Sequence, residues 1–223
     1  MIVTSSIFLA VGIISLVSYF IIFFKLKKKK IFNVEDTFLN SFGYEFYRIL
    51  NPQTRIILYA LLIISSFSFS LSSFFSLSYI ISNYLIIVAS IFTLGVSLIT
   101  ISNFIPLSQY KIHLVSFFVG LTSLFSSTLL IAIANLIGEI LPGFICIIAL
   151  FFAAIIFSFL INPYNSNWFK LEKNNSSKDN KFVKPKINFL ALEEWLSLSL
   201  ILLISILYFS LNLYNYLSLV NIN

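Results

Sequence analysis

The sequence predicts an all-α, polytopic integral membrane protein: a bundle of six transmembrane helices plus one amphipathic interfacial helix, forming a single membrane domain over residues 1–223. The chain is 59% apolar and only 10% charged, whereas a soluble domain is about 25% charged. Charged residues are absent from 56–110, 140–169 and 195–223. Because a bilayer-spanning helix needs roughly 20 apolar residues, the first of these runs must hold two spans.

The basic residues predict the orientation of the chain. All fourteen Lys and Arg residues lie between spans one and two, three and four, or five and six. Basic residues near span ends stay on the cytoplasmic side, so both termini are expected on the non-cytoplasmic side of a bacterial cytoplasmic membrane or an organelle inner or thylakoid membrane. This clustering also accounts for the net charge of +6. Because nucleic-acid-binding motifs are missing, we expect no nucleic acid partner.

Span one is predicted at about residues 2–24, and a run of lysines follows it. A cleaved signal peptide carries its basic region in front, so we expect this segment to remain a transmembrane helix. Residues 34–50 are too polar to span. Phe38, Phe42 and Phe46 recur there at helical spacing and share one face. We therefore predict a helix lying in the interface and anchored by these three rings.

The remaining spans are apolar runs bounded by turn residues. Asn51-Pro52 restarts the chain, with Asn51 as N-cap and Pro52 at the first helical position. The loop 162–188 is rich in Asn, Ser and Lys and cannot bury a core. Trp168 within it and Trp195 after it are predicted interfacial anchors. The predicted spans are 56–75, 84–101, 114–135, 143–161 and 192–216.

Small residues recur four positions apart inside the spans, a spacing that lets helices approach closely. Span two carries a serine stripe of this kind, and similar pairs occur in spans four and five. A hydroxyl-lined pathway would use the same residues, but helix packing is their commoner role. The predicted packing residues are Ser68, Ser72, Ser76, Ser116, Gly120, Ala149 and Ala153.

Ionisable residues inside a membrane are costly and mark functional sites, and this chain has few. Glu139, close to glycine and proline residues, is the candidate functional acid, and its other interpretation is a solvated acid in a short outer loop. Glu193 and Glu194 point about 100° apart on a helix and are predicted to be solvated at the start of span six. His113, the only histidine, is predicted to lie at the surface of the interface.

The sequence offers no motif for catalysis or for a cofactor. One histidine cannot supply a His-based metal cluster or two axial haem ligands. The single cysteine, Cys146, excludes an intramolecular disulfide and a CxxC site. A Walker loop, a dinucleotide fingerprint, HExxH and a nucleophile elbow are all missing. We therefore expect no cofactor, no metal and no enzymatic activity.

These observations favour a non-catalytic accessory subunit, assembly factor or scaffold of a larger membrane complex, with the bilayer and other membrane proteins as partners. The alternative is a permease for a small, largely neutral solute that uses Glu139 and the serine stripe of span two. A membrane enzyme working through His113 or Glu193-Glu194 comes third. Basic residues can orient the chain, or bind anionic lipid or an acidic partner. The lysines concerned are Lys27, Lys28, Lys29, Lys30, Lys181, Lys184 and Lys186.

Overall fold

The computed structural model describes six stretches of the chain, and within them it is all-helical. Six of the helices are long and apolar enough to cross a membrane, so the predicted fold class is confirmed. The described residues are 2–28, 51–78, 82–105, 109–139, 141–165 and 189–220.

Several predicted residues lie outside these stretches. They are the interfacial helix 34–50 with Phe38, Phe42 and Phe46, the anchor Trp168, and Lys29, Lys30, Lys181, Lys184 and Lys186.

The helices extend beyond the predicted spans at most of their ends. Apolar runs mark only the part of a helix that crosses hydrocarbon, and a helix continues for as long as its backbone is paired. At about 1.5 Å per residue, the 32-residue last helix is about 48 Å long, against about 30 Å for the hydrocarbon core. The six helices are α1 Ile2–Lys28, α2 Pro52–Ser78, α3 Asn83–Ser102, α4 Tyr110–Ile133, α5 Gly143–Leu160 and α6 Phe189–Val220.

Polar side chains cap the starts of α2 and α3. Asn51 Oδ1 accepts a hydrogen bond from the backbone N–H of Gln53 at 2.9 Å. Ser82 Oγ accepts one from the backbone N–H of Leu85 at 3.4 Å. Each bond satisfies one of the backbone donors that a helix start leaves unpaired.

Helices α1 to α5 pack in chain order, each against its neighbour, and α6 returns to pack on α2, α1 and α5. It also reaches α3, where the ring of Tyr208 lies 5.2 Å from that of Phe92. A larger share of α6 is buried than of any other span, whereas α1 and α5 are the most apolar and the least buried. In a membrane, apolar side chains are as stable against lipid as against other helices. The most apolar helices therefore lie at the periphery, around α6.

The backbones of α3 and α4 meet at two glycines. A Cβ atom added to Gly95 would lie 2.9 Å from the carbonyl oxygen of Gly120, and one added to Gly120 would lie 3.0 Å from that of Gly95. Gly120 was among the predicted packing residues, and Gly95 was not. The sequence did carry a signal for Gly95, because it is a glycine in the interior of a predicted helix. Such a glycine costs about 1 kcal/mol of helix stability relative to alanine and often indicates close packing.

The bundle has two ends, which we name by their characteristic residues. At the His113 end, α1, α3 and α5 finish and α2, α4 and α6 begin. At the Glu139 end, the connections from α2 to α3 and from α4 to α5 lie together.

Candidate functional site: a buried polar cluster at the His113 end

The most unusual feature of the bundle is a set of buried ionisable side chains where α4 and α6 begin. The exposed fraction of the side chains is 0% for His113, 4% for Glu193 and 1% for Glu194. The predictions that Glu193 and Glu194 are solvated and that His113 lies at the surface of the interface are therefore wrong. In the sequence, each of these residues lies near the end of a transmembrane span. Because α6 lies at the centre of the bundle, all three side chains are covered by other helices.

His113 connects the end of α3, the start of α4 and the start of α6. Its Nδ1 lies 2.6 Å from the backbone carbonyl oxygen of Ser102. A carbonyl can only accept, so Nδ1 carries a hydrogen and donates it. Its Nε2 lies 2.8 Å from Oε1 of Glu194, and the ring stacks on that of Phe117.

One proton lies between Nε2 of His113 and Oε1 of Glu194. The pair is neutral overall whether it consists of imidazolium and carboxylate or of imidazole and carboxylic acid. In either form the two side chains make a buried hydrogen bond between α4 and α6.

Glu193 is held by two asparagines that follow α5. Its Oε1 accepts a hydrogen bond from Asn162 Nδ2 at 2.5 Å, and its Oε2 accepts one from Asn165 Nδ2 at 2.8 Å. The same amide group of Asn165 also donates to the carbonyl oxygen of Phe159 at 3.1 Å. The two consecutive glutamates point apart, as helix geometry requires. Glu194 therefore binds α4, while Glu193 binds the segment after α5.

We name this set the polar cluster: His113, Glu193, Glu194, Asn162 and Asn165. Sequence reasoning missed its two asparagines, although two Asn residues directly after an apolar span are a signal for side-chain hydrogen bonds at a helix end.

Trp195 follows the cluster on α6 and faces α1. Its ring centroid lies 4.5 Å from that of Phe23 and 5.8 Å from that of Phe20. The predicted interfacial anchor is thus half-buried against another helix, where it packs beside the polar cluster.

Glu139, the acid singled out from the sequence, lies half-buried at the opposite end. Its Oε1 accepts a hydrogen bond of 2.6 Å from Ser82 Oγ, the side chain that caps α3. Gly138 precedes it with φ of +96°, a conformation that glycine adopts without steric cost. Asn135 closes the same turn through two hydrogen bonds to the backbone of Leu141. Glu139 thereby joins the connection between α4 and α5 to the start of α3.

Most of the predicted packing residues face the interior. Ser72 Oγ donates to the backbone carbonyl oxygen of Ser5 at 2.9 Å, which joins α2 to α1. Asn212 of α6 lies 3.4 Å from the hydroxyl of the same Ser5. The buried residues of the set are Ser68, Ser72, Ser76, Gly120, Ala149 and Ala153, and Ser116 is half-buried.

Among the described residues, no three or more His, Cys, Asp or Glu side chains come close enough to hold a metal ion. The polar cluster joins helices through the hydrogen bonds of His113, Glu193 and Glu194. Compared with known proteins, the chain matches no protein-family model, no curated protein and no solved structure.

Proposed function

We propose that this protein is a non-catalytic subunit, assembly factor or scaffold of a larger membrane complex. One observation carries the proposal. Each of the three acids in the described residues, Glu139, Glu193 and Glu194, is bound to a side chain of another element of the bundle. The carboxyl groups in the described part of this membrane domain thus join elements of the bundle through hydrogen bonds.

The geometry of these bonds supports a bundle with one stable arrangement. Transport by alternating access requires one group of helices to move against another around a fixed site. Here α6 is bound at its start to both α4 and the segment after α5, and nearer its end to α1 through Asn212. Such motion would break buried hydrogen bonds, each of which is costly to leave unmade.

We further propose that the His113 end faces the cytoplasm, or the matrix or stroma of an organelle. Lys25, Arg55 and Lys111 all lie at this end of the described helices. The only charged side chain in the described part of the Glu139 end is Glu139. Cysteines introduced at each end, tested with a membrane-impermeant maleimide on intact cells or organelles, give the orientation directly. Labelling of the His113 end alone would reverse it.

The alternative is a permease for a small, largely neutral solute using Glu139 and the serine stripe of α2. Hydroxyl groups do lie along the buried face of that helix. However, Ser72 is committed to Ser5 of α1, and Glu139 to Ser82. This geometry gives the accessory role the stronger support.

The test is purification of the tagged protein from its native membrane in mild detergent, followed by native mass measurement and identification of bound proteins. We expect a stoichiometric partner. We expect the partner to dock on residues 164–188 of the basic loop, so deletion of residues 172–182 should release it. A lone monomer or homo-oligomer that takes up solute in proteoliposomes, and loses uptake on Glu139→Gln, would favour the permease instead.

A further inference from the structure

A groove of about 720 Å³ lies between α2 and α3 and opens on the outer surface of the bundle. Its outward position is shown by Phe67 and Ile101, two lining residues that are 63% and 52% exposed. Ser66 and Thr100 also line it, and their hydroxyl groups are hydrogen-bonded to each other at 2.7 Å. The groove therefore faces the lipid and not the centre of the bundle.

Three hydroxyl groups of the groove lack a hydrogen-bond partner in the described structure. Ser70 is 7% exposed and lines the groove, and no other group bonds its hydroxyl among the described residues. Thr93 Oγ1 is buried in the groove wall and has no hydrogen-bond partner. Ser97 is exposed in the groove, and its hydroxyl also has no partner among the described residues. Polar groups left unpaired in hydrocarbon carry a cost.

Other outward-facing hydroxyls in this bundle avoid that cost within their own helix. Ser90, Thr122 and Ser158 each donate to a backbone carbonyl three or four residues earlier, at 2.9, 2.8 and 2.6 Å. Among the groove hydroxyls, those of Ser70, Thr93 and Ser97 make no such bond. They are left to bond whatever fills the groove.

The depth of these groups limits what the occupant can be. Thr93 lies near the middle of the 20-residue α3, and so near the centre of the hydrocarbon. The ester groups of a phospholipid lie at the interface, and an acyl chain carries no hydrogen-bonding atom. A transmembrane helix does carry such atoms at this depth, on its backbone carbonyls and small polar side chains.

We infer that the groove between α2 and α3 binds a transmembrane helix of the partner protein, an inference that rests on the proposed accessory function. Ser66 and Ser70 on one wall, and Thr93 and Ser97 on the other, are small residues four apart. This spacing lets a third helix approach closely enough for its backbone to meet the hydroxyl groups. The groove thus supplies both the space and the unpaired donors for helix association.

The experiment is site-specific photo-crosslinking in the native membrane. Cys146 is replaced by alanine, Ser97→Cys is introduced, and a benzophenone maleimide is attached before irradiation. The matched control is Thr122→Cys, an outward-facing hydroxyl position on α4 outside the groove. We expect a single protein adduct, with a yield at least tenfold higher from position 97 than from position 122. The crosslinked peptide of that adduct should lie in a membrane-spanning segment of one partner protein.

Two groove variants complete the test. Ser70→Phe fills the groove and should abolish the adduct, and Ser70→Ala removes one hydroxyl without adding volume and should weaken it several-fold. Thermal unfolding of each variant shows that the bundle itself is intact. Equal crosslinking at Ser97 and Thr122, adducts with lipid only, or adducts with a second copy of the chain would each overturn the inference.

The inference and the proposed function can fail separately. If a stoichiometric partner co-purifies but crosslinks nowhere near Ser97, the accessory role stands and the groove is not its docking site. If no partner co-purifies and Ser97 reacts only with lipid, both proposals are rejected.

Discussion

The two ends of the bundle each bind a carboxylate to another element, but they do so under different conditions. At the His113 end, Glu194 is 1% exposed and its partner is the buried His113. At the other end, Glu139 is half-buried and its partner is the hydroxyl of Ser82. Glutamate should therefore contribute far more to stability at the first end, because a buried polar side chain that loses its partner finds no water to replace it.

The largest effect is expected from Glu194→Ala. This change leaves His113 buried without its partner, and breaking a buried pair in this way costs about 3–5 kcal/mol. The measurement is thermal unfolding in detergent, followed by tryptophan fluorescence, since Trp195 lies beside the pair.

The control for this change is the double variant His113→Leu, Glu194→Leu, which removes both members of the pair. It should recover much of the lost stability, because replacing a buried pair by apolar residues is often close to neutral. A double variant no more stable than Glu194→Ala would contradict the coupling.

Gly95→Ala tests whether the backbone contact of α3 with α4, midway between the two ends, contributes as much to stability as the polar groups at the ends. Its Cβ would lie 2.9 Å from the carbonyl oxygen of Gly120 and 3.1 Å from the backbone nitrogen of Leu124. Neither atom can move without shifting a helix, so we expect a loss of about 1–3 kcal/mol in the same unfolding measurement.

Gly143→Ala is the matched control, since a Cβ there meets nothing within 4 Å. Its unfolding temperature should be unchanged or slightly raised. Equal destabilisation by both glycine changes would show that the contact between α3 and α4 is not the cause.

Glu193→Gln should have an intermediate effect. The amide keeps the shape of the side chain but replaces one acceptor oxygen by a donor that faces Asn162 or Asn165. Loss of one buried hydrogen bond to a charged group costs about 1.5–3 kcal/mol. We expect a lower unfolding temperature than the wild type. No change would show that the asparagines do not depend on the carboxylate.

Glu139→Gln should have the smallest effect, at most about 1 kcal/mol, because the glutamine carbonyl can still accept the hydrogen bond from Ser82. Partner binding should also be unchanged if the protein is an accessory subunit. Solute uptake abolished by this variant, with the fold intact, would instead identify Glu139 as a transport residue.

The distribution of charge shows how far sequence reasoning reaches. Long charge-free runs predicted six spans, because hydrocarbon requires about 20 apolar residues whatever the tertiary structure is. The helical spacing of Glu193 and Glu194 correctly predicted that they point apart. The sequence did not predict their burial. A charged residue at the end of a span has the same sequence pattern whether water or another helix covers its side chain.

The sequence by itself determined the class, the number of spans and some of the small residues on which a close helix contact is possible. Those follow from local rules of hydropathy, helix periodicity and side-chain size. The tertiary structure alone decided that α6 lies at the centre, that His113 meets Glu194 across 81 positions of chain, and that Gly95 meets Gly120. In lipid, helices of similar hydropathy have no intrinsic order, and their order is set by which side chains and backbones fit together.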